Sequence, residues 1–126
     1  MILYNAIRTP DGTLLVSYHR HDYVAHKDAN GKYYAVDGGL EYLRRIGTMD
    51  YEELSLTDKD PFSKVRGVVT WGTRGKDGNQ PLEYKKVKDL DTAHIRAILE
   101  SQRISPQMKY VLETELLRLE RINKNE

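Results

Sequence analysis

Cysteine is absent from the 126 residues, which excludes disulfides, thiolate zinc sites and cysteine nucleophiles together. No apolar run approaches the ~20 residues that cross a bilayer. Met1-Ile2-Leu3-Tyr4 has neither a basic start nor a hydrophobic core behind it, so neither export nor a membrane anchor is expected, and the expected home is a cytosol. An excess of one charge is also missing. Lysine and arginine number 20 against 19 acidic residues, a net charge of +1, and no global field calls for a nucleic-acid polymer. Phenylalanine and tryptophan occur once each beside nine tyrosines, an aromatic set that leans toward half-exposed surfaces. There is no Rossmann fingerprint, no Gly-Lys-Ser/Thr after a glycine loop, no Ser-His-Asp arrangement and no pair of catalytic carboxylates.

What is present fits one globular domain spanning 1–126, with 39% hydrophobic and 31% charged residues, long enough to bury a core without staples. Charge is unevenly spread. Asp50, Glu52, Glu53, Asp58 and Asp60 face only Lys59 between residues 46 and 63. Lys64, Arg66, Arg74, Lys76, Lys85, Lys86 and Lys88 then outnumber Asp77 and Glu83. This reads either as adjacent solvated faces that pair, or as a basic surface for a small phosphate ligand.

The fold class expected is α+β, with an N-terminal antiparallel β-meander, short helices and a C-terminal αα-hairpin. Ile2, Leu3, Tyr4 and Ile7 read as a strand that ends at the turn Thr9-Pro10-Asp11-Gly12. Residues 13–18 pair with it and can continue through His19-Arg20-His21-Asp22-Tyr23-Val24. Asn30-Gly31 marks a hairpin whose return strand is 32–36. Residues 40–47 predict a two-turn helix: Asp37 caps it, Leu40 and Leu43 share a face, Arg44 and Arg45 suit its C-terminus, and Gly47 ends it. Residues 51–57 read as a loop. Asp60-Pro61 opens a helix bearing Phe62, Val65 and Val69, although Gly67 and Val68-Val69-Thr70 favour a strand. Glycines 72, 75 and 78 predict an irregular loop after Trp71, and 82–87 a strand. Asp91 or Thr92 caps a helix carrying Ile95, Ile98 and Leu99. Ser105-Pro106 opens the last one, striped by Met108, Leu112, Leu116, Leu119 and Ile122. Tyr110, Val111 and Leu117 lie off that stripe and point to a homo-oligomer held partly by this helix.

Three stretches carry the candidate chemistry. On a strand, His19 and His21 share a face and could hold an ion, although Asp22 would point away and His26 lies off the hairpin. Alternatively His19 and Asp22 are structural, or Arg20 and His21 are donors to a ligand. Asp37-Gly38-Gly39 before a helix reads as an anion site on exposed N–H groups, or as a tight turn. Trp71, Thr73, Arg74 and Lys76 combine a stacking plane with phosphate-binding donors, unless the tryptophan is a core anchor.

The motifs His19-Arg20-His21-Asp22-Tyr23, Val36-Asp37-Gly38-Gly39 with Tyr42-Leu43-Arg44-Arg45, and Trp71-Gly72-Thr73-Arg74-Gly75-Lys76-Asp77-Gly78 resemble a family of small proteins encoded by tailed bacteriophages. The chain is similar to the anti-CBASS sponges, which bind cyclic dinucleotide signals and keep them from host effectors. The resemblance implies a homo-oligomer, a tetramer, in the host cytoplasm that binds 3′3′-cyclic GMP-AMP without cleaving it, with no cofactor or metal. The neighbouring resemblance is to anti-Thoeris sponges for cyclic ADP-ribose isomers. The expected ligand contacts, chosen by chemistry, are Arg20, His21, Arg44, Arg45, Trp71, Thr73, Arg74 and Lys76. Two other classes stand beside the sponge: a metal-dependent phosphodiesterase using His19, His21, Asp22 and Asp37, and an inhibitor that binds a host protein through the acidic stretch near Tyr51.

Overall fold

The computed structural model describes residues 1–75, 77–101 and 103–124, and confirms a mixed α+β protein. The chain divides into two compact units, Met1–Asp60 and Pro61–Glu126.

The first unit is a set of small antiparallel sheets. Strands β1 (Ile2–Tyr4) and β2 (Ala6–Arg8) are separated by Asn5 alone. β2 lies between β3 (Leu14–Val16) and β7 (Glu52–Glu53), while β1 pairs with β8 (Leu56–Thr57). The third sheet has β5 (Tyr33–Asp37) flanked by β4 (Val24–Lys27) and β6 (Arg44–Ile46). Asn30-Gly31 turns the β4–β5 hairpin as expected, with the Asp28 N–H donating to Lys32 O at 2.9 Å. Ile7, Leu15, Tyr34 and Val36 pack into the core, with Val24 and Tyr51 against them.

Three expectations change here. The strand after Val16 does not run on, because residues 19–21 form a turn. The helix expected over 40–47 is absent: residues 39–41 form a turn and Arg44–Ile46 is a strand paired with β5. The 51–57 segment is not simply a loop, since it supplies β7 and β8.

In the second unit, α1 (Phe62–Val68) leads directly into β9 (Thr70–Thr73), so the helical stripe and the β-branched pull are both expressed, one after the other. Pro61 occupies the N-cap, and Asp60, expected there, instead accepts from the Thr57 N–H at 2.8 Å. β9 pairs with β10 (Glu83–Lys86), which corrects the loop expected immediately after Trp71. α2 (Thr92–Ser101) is capped by Asp91, whose carboxylate accepts from the His94 N–H at 2.7 Å. α3 (Pro106–Lys124) is capped by Ser105 through the Met108 N–H at 3.1 Å. α2 and α3 pack together, and α1 also packs on α3.

The buried face of α3 centres on Val111, Leu112 and Glu115. Val111 therefore belongs to the core rather than to an outward face, and Tyr110 and Leu117 remain exposed. The Glu115 carboxylate is fully buried and takes a forked pair from Arg66 at 3.0–3.1 Å and a further bond from Arg118 Nε at 2.6 Å. Burial alone would raise this carboxyl; the two guanidiniums outweigh it and hold it below the usual range.

In the first unit Asp50 accepts from the Thr48 and Tyr34 hydroxyls, each at 2.7 Å, and from Lys32 at 3.2 Å. Those bonds, Thr48 first, hold its carboxyl at about 2. The folded value lies below the unfolded one near 3.9. The resulting stabilisation is complete above about pH 4 and is lost as pH falls toward about 2. Asp50→Asn should be less stable at neutral pH and should show a shallower loss of stability across that acid window, read by urea denaturation at successive pH values.

Candidate functional site: a cleft beside a β-hairpin

The residues singled out by sequence fall into two groups, one in each unit. In the first unit, the turn at 19–22 packs on the turn at 38–42, and both are built from internal bonds. The Ser17 hydroxyl donates to Asp22 O at 2.7 Å and accepts from the Gly39 N–H at 2.9 Å. The Asp22 carboxylate accepts from the Tyr18 N–H at 2.8 Å, and the Gly38 N–H donates to the Asp37 carboxylate at 2.8 Å. The two glycine N–H groups offered for an anion are thus already taken, and no helix follows them. Glycine is required for a different reason. Gly38 sits at φ +102°, where a Cβ would lie 2.0 Å from Tyr42 O, and Gly39 at φ +54°, where it would lie 2.3 Å from the His19 carbonyl carbon. Of the two readings, this is the tight turn.

Neighbouring strand residues point to opposite faces, and this separates the two arginines. Arg45 turns inward, with Nε and Nη2 forking onto Glu53 at 2.9 and 2.8 Å and Nη2 also reaching Ser55 at 2.8 Å. Its Nη1 donates to Asn5 Oδ1 at 2.8 Å and to Arg44 O at 3.0 Å. Every N–H of that guanidinium is occupied, so Arg45 is a fold residue with nothing left for a phosphate. Arg44 is exposed and touches Asp37 only at 3.6 Å. Arg20 pairs with Glu41 at 3.0 Å on the surface, and His21 is exposed.

The metal reading loses its geometric premise. His19 and His21 lie in a turn rather than on one strand face, while Asp22 and Asp37 serve their own turns. His26 bonds Asp11 at 2.7 Å. Among the described residues no three histidine or acidic side chains gather as a ligand set.

The second group comes together. Trp71, Thr73 and Arg74 line one cleft of about 1150 Å³ formed by the β9–β10 hairpin, its connecting loop and α2. Lys76 lies outside the described residues. The hairpin register explains the lining. Trp71 is the Cα partner of Lys85 and Thr73 of Glu83, and directly opposite residues share a face, so all four stand on one side of the ribbon. The helical wall adds Ala93, His94, Ala97 and Ile98. Among the described residues, the side chains of Arg74, Lys85 and His94 make no hydrogen bond or ion pair. Asp77 and Asp91 also line the cleft, the latter engaged in capping.

Glu83 and His94 are residues the sequence reading did not select, and Lys85 entered it only as part of the basic stretch 64–88. A signal was present: Thr70 and Thr73 bracket Trp71-Gly72 with β-formers, and pairing them with 82–87 brings Lys85 beside the indole. His94 has no comparable local signal, because it reaches the cleft through the placement of α2. No family model, curated protein or solved structure matches the chain. No helix among the described residues is long and apolar enough to cross a membrane.

Arg45→Ala should destabilise the fold by about 3 kcal/mol, because it leaves the buried Asn5 oxygen and the Glu53 carboxylate short of donors. Chemical denaturation measures the loss.

Proposed function

We propose that the chain is a non-catalytic binder of a cyclic dinucleotide, held in the cleft beside the β9–β10 hairpin. The observation that carries this reading is the convergence of an indole, a guanidinium, an ammonium and an imidazole on one opening, with no partner among the described residues for the three cationic or basic side chains. A purine stacks on indole, and guanidinium and ammonium groups bind phosphate diesters. Size favours the larger ligand. The opening of about 1150 Å³ exceeds the roughly 300–1,000 Å³ of ordinary small-molecule sites. The proposed role is holding rather than cutting, and the cations and aromatic plane that line the cleft suit that role.

The resemblance to phage anti-CBASS sponges supplies the setting: a phage protein acting in the host cytoplasm to sequester 3′3′-cyclic GMP-AMP. Cleft chemistry of this kind also accommodates cyclic ADP-ribose isomers, so both ligands belong in the same assay. Arg20, His21 and Arg44, in the other unit, are secondary candidates. The exposed Tyr110 and Leu117 of α3 are the surface proposed for assembly into a tetramer.

Isothermal titration of the purified chain with 3′3′-cyclic GMP-AMP should show binding, and ligand recovered by heating should be intact by mass spectrometry. Trp71→Ala and Arg74→Ala should each weaken binding at least tenfold, about 1.4 kcal/mol. Arg74→Ala should leave the melting temperature unchanged, since its guanidinium has no partner among the described residues. Full affinity in both variants, or recovery of a linearised product, counts against the reading. Light scattering should report an oligomer that Leu117→Glu dissociates; a 14.6 kDa particle at micromolar concentration removes the assembly proposal.

A further inference from the structure

The cleft contains a group that an anion site should not want. Glu83 lies on the same face of the ribbon as Trp71 and Lys85, one residue pair along, and lines the cleft with its Cα partner Thr73. Among the described residues it forms no ion pair and no side-chain hydrogen bond, not even with Lys85 two positions away on its own strand. A carboxylate left unneutralised among phosphate-binding cations weakens anion binding by like-charge repulsion. It becomes favourable only where the ligand presents donors to it.

A purine nucleotide can present them through its base edge. Guanine carries N1–H and an N2 amino group side by side, two parallel donors that fit the two oxygens of a carboxylate. Adenine offers on the same edge an N1 lone pair that a carboxylate repels. Position agrees with this pairing. Residues two apart on a strand lie about 7 Å apart, so a base stacked on Trp71 extends its edge toward the Thr73–Glu83 row. Lys85, directly across from Trp71 and two residues from Glu83 on the same strand, is the cation placed for phosphate.

We propose that the cleft selects guanine over adenine, with Glu83 accepting the N1–H and N2–H bonds of a base stacked on Trp71. This rests on the purine-nucleotide reading of the cleft and adds the identity of the base. Asp77, on the connecting loop, is the competing carboxylate. Asp91 is committed to the His94 N–H.

The test titrates the full chain with cyclic di-GMP, cyclic di-IMP and cyclic di-AMP, following fluorescence of Trp71, the sole tryptophan. Inosine keeps N1–H and lacks the N2 amino group. Affinity should fall in the order GMP, IMP, AMP, with about tenfold or more between the first and last. Glu83→Gln should remove most of that preference by weakening cyclic di-GMP and not cyclic di-AMP, while Asp77→Asn leaves it intact. Equal affinity of the unaltered protein for all three ligands overturns the base assignment and leaves purine binding standing. A preference that survives Glu83→Gln and vanishes in Asp77→Asn overturns the residue. No quenching by any of the three at millimolar concentration overturns the nucleotide reading itself, and the guanine inference with it. The inosine comparison uses the unaltered chain and is independent of how any variant folds.

Discussion

The first unit depends on one buried side-chain amide. Asn5 is 1% exposed, and its Nδ2 lies within hydrogen-bonding distance of three main-chain carbonyls: Asp37 O at 3.0 Å, Gly39 O at 2.8 Å and Tyr42 O at 3.2 Å. Its own carbonyl oxygen accepts from Arg45. A buried amide must find partners or cost about 1–3 kcal/mol for each unmet group. Here the partners are the corner of the β5–β6 connection, so satisfying Asn5 and shaping that corner are the same event. Arg45 extends the network to Glu53 and Ser55, and the Ser55 hydroxyl in turn accepts from the Ala6 N–H at 3.1 Å. The motif residues around Gly38-Gly39 and Arg45 are therefore explained by folding, before any ligand is considered.

The second unit is organised differently. Its hairpin faces α2 across an opening, and the side chains there are not used up by one another. Alternation along β9 and β10 sends Trp71, Thr73, Glu83 and Lys85 to the cleft and leaves Tyr84 on the reverse side against Gly72, whose notional Cβ would lie 3.2 Å from the tyrosine ring. Among the described residues the Arg74, Lys85, Glu83 and His94 side chains there make no hydrogen bond or ion pair, which contrasts with the closed networks around Asn5.

Local signals were legible where they were sufficient. Asn30-Gly31, the caps Asp91 and Ser105, and the α3 stripe specify their elements from neighbouring residues alone. Residues 40–47 were not legible in that way. Leu40 and Leu43 at helical spacing followed by two arginines mimic a helix end, but β5 recruits 44–46 as a partner strand and Asn5, more than thirty residues upstream, binds the turn carbonyls. Both influences are non-local. The same distance effect hid His94 from the candidate site. Trp71 and Arg74 stand out by residue type alone, whereas Glu83, a lone carboxylate on a strand, resembles ordinary surface.

Glu115 has a consequence for how α3 is seated. Stripes of leucine are nearly periodic, and a helix bearing Met108, Leu112, Leu116 and Leu119 could slide by one turn against a neighbour with little change in apolar burial. A displacement of four residues would put Val111 or Leu119 where Glu115 meets Arg66, abandoning a guanidinium beside hydrocarbon and a carboxylate with half its partners. Breaking a buried ion pair by removing one partner costs about 3–5 kcal/mol, so a packing that separates Glu115 from Arg66 is disfavoured by about that much. The carboxylate thus serves as an index mark, admitting a single register of α3 on α1 from a pattern that is otherwise degenerate.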